Sequence, residues 1–292
     1  MSGSRLSGRN AIVTGASRGL GRAIAIGMAA EGASVAVVAR TEQVWDDRLM
    51  GTVGETVASI TAAGGRAVAI AADLTLDADR ARLLSEARSA FGPISILVNN
   101  AAFTAPGGPN RPAVPNLMRS AVAATEKTAW PSFMNTPLRA YRRHFEMVFA
   151  AYELMQAVVP DMEEAGYGSI INVTSGASRM PGEGPYLDRR IGSLAGYGGS
   201  KAALEHLTLS AAFEVGNRRI AINALSPTRA FLTPGVAFYD REFKNFDPEE
   251  DFVEAAIRLA VVDPDKVTGR VLGHADVLDG SFRPYVFNSV ME

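Results

Sequence analysis

Apolar positions along this chain alternate between two rhythms. Short β-branched runs at 11–13, 34–39, 67–71 and 94–98 are apolar at consecutive positions and read as strands buried on both faces. Longer stretches between them carry helical spacing. Leu20, Ile24 and Met28, at i, i+4 and i+8, put one stripe on a helix predicted over 20–30, and Gly32 stands where its C-terminal cap belongs. The alternation predicts an α/β fold: a doubly wound, Rossmann-type parallel sheet with helices on both faces.

The rhythm breaks at 103–136, where Pro106, Pro109, Pro112, Pro115, Pro131 and the pair Gly107-Gly108 predict a long loop holding one short helix. It resumes as a helix at 138–164, a strand at 169–174, a helix at 196–216 and a strand at 220–224. After Pro227 the pattern is irregular, then gives a helix at 251–261 and a short strand near Val271. No repeat, low-complexity tract or linker divides the chain, so one domain over 1–292 is expected.

Composition narrows the function classes. With 47% hydrophobic and 21% charged residues the chain holds enough apolar material for a core, which excludes a disordered protein. A net charge of −2 without a basic stripe excludes the electrostatic footprint of a nucleic-acid binder. There is no cysteine, hence no disulfide, thiolate nucleophile or cysteine-bound zinc. No metal site is expected: His144, His206 and His274 lack ligand spacing and read as surface or packing residues. No apolar run is long enough for a signal core or a membrane span, so the expectation is a cytoplasmic protein with no membrane or nucleic-acid partner.

The first strand runs into Thr14-Gly15-Ala16-Ser17-Arg18-Gly19-Leu20-Gly21 and then into a helix. Gly15, Gly19 and Gly21 permit a tight turn and a close backbone approach to a pyrophosphate, which sits at the helix N-terminus among unpaired N–H groups. Ser17, Arg18 and Leu20 share that turn as expected cofactor contacts. The same letters also spell G-x-S-x-G, the nucleophile elbow of serine hydrolases, with Ser17 as nucleophile and His206 or His274 downstream. That elbow normally follows several strands, and no His-Gly-Gly oxyanion motif is present.

Strand two ends at Ala39, where an NAD site would place a carboxylate for the ribose 2′-hydroxyl. Arg40 follows, and Arg18 lies nearby in the expected fold. Two guanidinium groups suit a 2′-phosphate, so NADP(H) is preferred, with NAD(H) the second option. Asp73 ends strand three, where it can accept from the adenine amino group or cap the helix beginning near Asp77; Leu74 follows among the expected cofactor contacts.

Tyr197 and Lys201 share one helix face at i, i+4. A free tyrosine titrates too high for acid–base work at neutral pH, and a neighbouring ammonium is expected to lower it. Ser175 follows the strand ending at Thr174, at the sheet edge where α/β folds bind ligands, and its hydroxyl can meet a carbonyl oxygen.

Together these residues resemble the short-chain dehydrogenases/reductases of classical type over nearly the whole chain. T-G-x-x-x-G-x-G matches Thr14 to Gly21 and N-N-A matches Asn99-Asn100-Ala101. Y-x-x-x-K matches Tyr197 to Lys201, the active-site serine matches Ser175, and the post-strand proline matches Pro227. The resemblance implies that Tyr197 is the acid–base residue, Lys201 orients the nicotinamide ribose and Ser175 holds the carbonyl. Asn99 supports the central strand, and Asn99, Ala101, Tyr197, Lys201 and Pro227 join the cofactor contacts. The arginine pair is similar to the family's NADP-preferring members. Arg40-Thr41 with the loop through Leu49-Met50-Gly51-Thr52 is similar to citronellol-type and hydroxysteroid-dehydrogenase-like members.

It further implies a substrate cover at about 228–250, a small carbonyl or alcohol substrate, and a homodimer or homotetramer, against which the apolar tail 282–290 can pack. Phe231, Phe238, Tyr239, Phe243 and Phe246 either line that cover for an apolar substrate or pack it onto the body. Three departures stand out. Met147 occupies the position where the family has a relay asparagine. An insertion at 180–193 separates Ser175 from Tyr197 and contains a second pair, Tyr186 and Arg190, at the same spacing. Ala102 and Thr228 stand where glycine is common. The expected activity is reversible hydride transfer between NADP(H) and a carbonyl/alcohol pair. The alternatives are a dinucleotide-binding sensor or scaffold with little turnover, prompted by Met147, and a serine hydrolase using Ser17.

Overall fold

A computed structural model describes residues 4–44, 46–103, 133–182, 184, 194–237 and 245–285. Seven strands, β1 (Asn10–Thr14), β2 (Ser34–Ala39), β3 (Arg66–Ala71), β4 (Ile96–Asn99), β5 (Gly168–Val173), β6 (Ile220–Ser226) and β7 (Arg270–Gly273), form one sheet in the order β3-β2-β1-β4-β5-β6-β7. Every pairing in it is parallel. The helices are α1 (Gly19–Ala30), α2 (Val53–Ala62), α3 (Asp77–Phe91), α4 (Leu138–Glu164), α5 (Ala195–Glu214), α6 (Pro234–Ala237), α7 (Glu249–Ala260) and α8 (His274–Leu278).

The strands are apolar on both sides because each side faces its own helix layer. In β2, Val35 and Val37 enter one core with Ile24 and Met28 of α1 and Phe252 and Leu259 of α7. Ala36 and Val38, one residue out of phase, enter the other with Leu83 of α3 and Leu154 and Val158 of α4. This is the doubly wound, single-domain Rossmann arrangement the sequence predicts. The chain winds outward from β1 through β2 to β3, then crosses back to β4, so a crevice opens beyond the carboxyl ends of β1 and β4.

Boundaries shift where side chains redirect the backbone. β4 starts at Ile96 rather than 94, because the Ile94 N–H donates to the Asp161 carboxylate (3.0 Å) instead of to a strand. β6 runs on to Ser226, paired there with Gly273 of β7. Gly32, at φ +94°, follows α1 as a C-terminal glycine should. Asp73 does not cap α3, whose N-cap position is Leu76; its Oδ1 instead accepts from the Thr75 amide (3.0 Å) and hydroxyl (2.8 Å). Of the long loop at 103–136, residues 104–132 lie outside the described residues, and Phe133–Asn135 form one short 3₁₀ turn. Tyr186, Arg190, Phe238, Tyr239, Phe243 and the tail beyond 285 also lie outside them.

Candidate functional site

The glycine turn sits at the crevice. Gly15 has φ +67°, and a Cβ there would lie 2.9 Å from the Ala101 Cα, so only glycine admits the segment that follows β4. Asn100 fastens the two: its side-chain amide donates to the Thr14 carbonyl (2.9 Å) while the Thr14 hydroxyl accepts from the Asn100 (3.0 Å) and Ala101 (3.1 Å) amides. Gly19, Leu20 and Gly21 form the first turn of α1. Its N-cap residue, Arg18, provides no side-chain cap, which leaves the helix-end N–H groups oriented for an anion. The residues present therefore fit a pyrophosphate.

Arg18 and Arg40 come together as expected. Burial, and then the charge of Arg40, lower the Arg18 pKa. Arg18 donates to the Thr41 hydroxyl (2.9 Å), the Gly51 carbonyl (3.2 Å) and the Leu49 carbonyl, pinning the β2–α2 loop. The Arg40 guanidinium lies over the Phe103 ring (5.1 Å). Ser17 is buried, and Pro227 follows β6 with its carbonyl accepting from Ser226 Oγ (3.2 Å).

Deeper in the crevice, Asn99 donates to Asn172 Oδ1 (2.8 Å) and Asn172 donates to Thr208 Oγ1 (2.9 Å), joining β4, β5 and α5 in one buried polar chain. Ser175, Tyr197 and Lys201 meet beside it. Ser175 Oγ accepts from the Ala177 amide (3.2 Å) and shares a hydrogen bond with the Tyr197 hydroxyl. The Lys201 ammonium donates to the Val173 carbonyl (2.7 Å) and lies 5.7 Å from the Tyr197 ring centre. Burial pushes the Lys201 pKa down to about 8, with Glu205 pulling it back up.

The tyrosine departs from expectation. Its pKa is raised, because burial outweighs the lowering hydrogen bond from Ser175, so at neutral pH Tyr197 carries its proton.

One residue set aside in the sequence belongs here. His144 lines the pocket with Leu74, Asn99, Phe103, Met147, Tyr197 and Lys201. Its ring stands edge-on to Tyr197 (6.2 Å) and Phe103 (6.4 Å), and its buried Nδ1 has no hydrogen-bond partner among the described residues. Burial first, then Lys201 and Arg143, lower its pKa to about 4, so it is neutral at physiological pH. The helical offset His144 to Met147, i to i+3, was the only available signal. Met147 itself lines the pocket, where its thioether offers only a weak acceptor.

His274 is a packing residue, bonded to the Thr228 amide (3.0 Å) and to Asp247 (3.1 Å) between the Phe231 and Phe252 rings. Phe231 is core, whereas Phe246 is exposed. His206 is exposed on α5. Among the described residues no group of side chains could hold a metal ion and no helix is long and apolar enough to cross a membrane.

Residues 9–237 match the family model described as short chain dehydrogenase. The 7alpha-hydroxysteroid dehydrogenase of Escherichia coli K12 is 29% identical over 279 residues, covering 92% of this chain and 93% of that one. A 3-oxoacyl-[acyl-carrier-protein] reductase FabG of Staphylococcus epidermidis is 32% identical over 221 residues, covering 75% and 74%. A solved 7alpha-hydroxysteroid dehydrogenase, complexed with NADH and 7-oxo glycochenodeoxycholic acid, superposes with TM-score 0.70 at 29% identity over 93% of this chain and 94% of that one. The glycine turn, the crevice at the strand reversal and these likenesses agree: the chain belongs to the short-chain dehydrogenase/reductase family and is an NAD(P)-dependent oxidoreductase acting on CH–OH groups.

Proposed function

We propose that this chain reduces a carbonyl to a secondary alcohol, and reverses the reaction, with NADP(H) as preferred cofactor and an apolar small molecule as substrate. The observation that carries the reading is the convergence of Ser175, Tyr197 and Lys201 deep in the crevice.

When bound, the nicotinamide dinucleotide supplies or takes the hydride. Gly15, Ser17, Gly19, Leu20 and Gly21 receive its pyrophosphate against the α1 N-terminus, and Asp73, Leu74, Asn99, Ala101 and Pro227 border it. Arg18 and Arg40 supply paired positive charge for a 2′-phosphate, where a carboxylate would have repelled it. Their proximity supports NADP(H): Arg18, its pKa lowered by burial and then by the Arg40 charge, would gain from a nearby dianion.

Ser175 donates to the carbonyl oxygen as negative charge develops there, and Tyr197 delivers the proton. Burial keeps Tyr197 protonated, as a proton donor in reduction must be. Lys201, held by the Val173 carbonyl, presents its remaining N–H groups to the ribose and stabilises the phenolate left behind. Phe103, Met147, Val148 and Leu204 give the pocket an apolar wall, which suits an apolar substrate. Exposed Phe149 and Tyr152 on α4 with Leu209 and Phe213 on α5 suit burial in a homodimer or homotetramer.

Tyr197→Phe tests the assignment by the absorbance of the nicotinamide. Expected is at least about a hundredfold loss of carbonyl reduction with NADPH affinity retained; a wild-type rate would overturn the role. A second reading, nucleotide binding with little turnover, draws on Met147. Tight NADPH binding with no turnover across graded ketones, aldehydes and alcohols would select it.

A further inference from the structure

Glu205 is a carboxylate with only 5% of its surface exposed, on the same face of α5 as Tyr197 and Lys201, one turn beyond the lysine. Both its oxygens are filled. One accepts from Thr174 Oγ1 (2.7 Å) and Ser178 Oγ (2.7 Å), the other from the Arg179 guanidinium through Nε (3.1 Å) and a terminal nitrogen (2.8 Å). Its donors bracket Ser175: one immediately before it, two at the end of the short turn Gly176–Arg179 that Ser175 caps. That turn also lies hard against the helix, for a Cβ at Gly198 would stand 2.4 Å from the Ala177 carbonyl oxygen. The segment carrying Ser175 is thus fastened to the helix carrying Tyr197 through one buried carboxylate.

We infer that Glu205 is a positioning residue for proton transfer: it holds Ser175 in register with Tyr197 and supplies the counter-charge for the buried Lys201 ammonium. The inference rests on the reading of Ser175, Tyr197 and Lys201 given above. An ammonium deprived of water needs a nearby anion to stay charged, and Glu205 is the carboxylate that raises the Lys201 pKa against burial. The other charged or titratable groups around the pair are Arg179, whose guanidinium shares the Glu205 carboxylate from the Gly176–Arg179 turn, Tyr197, protonated, on the helix of Lys201, and His144, neutral, on α4. None of them supplies negative charge at neutral pH. A carboxylate that only braced the backbone would be replaceable by any acceptor of the same shape.

Glu205→Gln keeps the shape, removes the charge and turns one accepting oxygen into an N–H donor, so its pH midpoint reports the charge while its rate also reports lost hydrogen bonds. Lysine is charged below its pKa, so activity that needs the ammonium is lost as pH rises through that value, about 8 in the wild type. The variant is expected to lose activity at a pH lower by roughly one unit. The double variant Thr174→Val/Ser178→Ala removes two hydrogen bonds and leaves the charge. It is expected to lower kcat about tenfold with the pH midpoint unmoved. Hydrogen exchange of the 174–179 amides is expected to quicken in Glu205→Ala, a readout independent of turnover. An unmoved midpoint in Glu205→Gln overturns the counter-charge role, and unchanged exchange in Glu205→Ala overturns the fastening. Undiminished activity in Tyr197→Phe would instead overturn the underlying reading, leaving the exchange result to stand.

Discussion

Asn172 offers a sharp test of how the buried polar chain supports the site. It is fully buried, accepts from Asn99 Nδ2 (2.8 Å), and donates to Thr208 Oγ1 (2.9 Å). Asn172→Ala strands the Asn99 amide in the interior, which costs about 1–3 kcal/mol, while Thr208 keeps its own bond to the Leu204 carbonyl (2.8 Å). The small cavity left by the amide raises the expected total to about 2–4 kcal/mol. Against a domain stability of about 5–15 kcal/mol this is a large fraction. Equilibrium urea unfolding measures it, with the slope m unchanged if both end states keep their compactness. Removing both amides together, in Asn99→Ala/Asn172→Ala, is expected to cost less than the sum of the single losses, because no donor is then stranded. A loss below about 1 kcal/mol in Asn172→Ala, at constant m, would refute the claim that the Asn99 amide depends on Asn172 as its partner.

Arg40→Ala is expected to weaken NADPH binding by about tenfold or more and leave NADH binding nearly unchanged; equal losses in a fluorescence titration would count against a 2′-phosphate contact. His144 titrates near pH 4, so the ratio of wild-type to His144→Gln activity is expected to stay constant from pH 5.5 upward. A step near pH 6.5 would show a charged imidazole in the working enzyme. Glu254, held by Arg5 and Arg258, is lowered from 4.5 to about 2. A depressed acid contributes stability above its unfolded value and loses it as pH falls toward the folded one, so Arg5→Ala should flatten the fall in Tm between those pH values. The pair is partly exposed, and the neutral-pH loss should not exceed about 1 kcal/mol.

The layered fold was legible because each strand is apolar on both faces and each helix on one, a pattern that only a covered parallel sheet satisfies. Strand order was not, since nothing local distinguishes the return from β3 to β4. The glycine turn and the Tyr197/Lys201 pair were legible as spacing. What spacing cannot carry is burial. Tyr197 titrates upward, against the expectation from Lys201 alone, because its hydroxyl is desolvated by residues far apart in sequence. His144 read as a packing residue until the fold set it beside Tyr197. Glu205 carries no sequence signal beyond standing one turn after Lys201, and only the approach of the Gly176–Arg179 turn makes it an interior group. Asp73 read as an adenine contact or a cap, and it is not the cap, because the chain turns through Thr75 before α3 begins.

Arg18 serves two masters, and this limits how the cofactor choice can be redesigned. The guanidinium suited to the 2′-phosphate is also the latch on the β2–α2 loop, through Leu49, Thr41 and Gly51. Exchanging it for a residue suited to NADH would loosen a segment that leads directly into the capping box of α2 at Thr52 and Glu55. On the proposed reading, cofactor preference and loop order are therefore inherited together at position 18, so Arg18→Ala is expected to loosen the loop as well as to weaken NADPH binding.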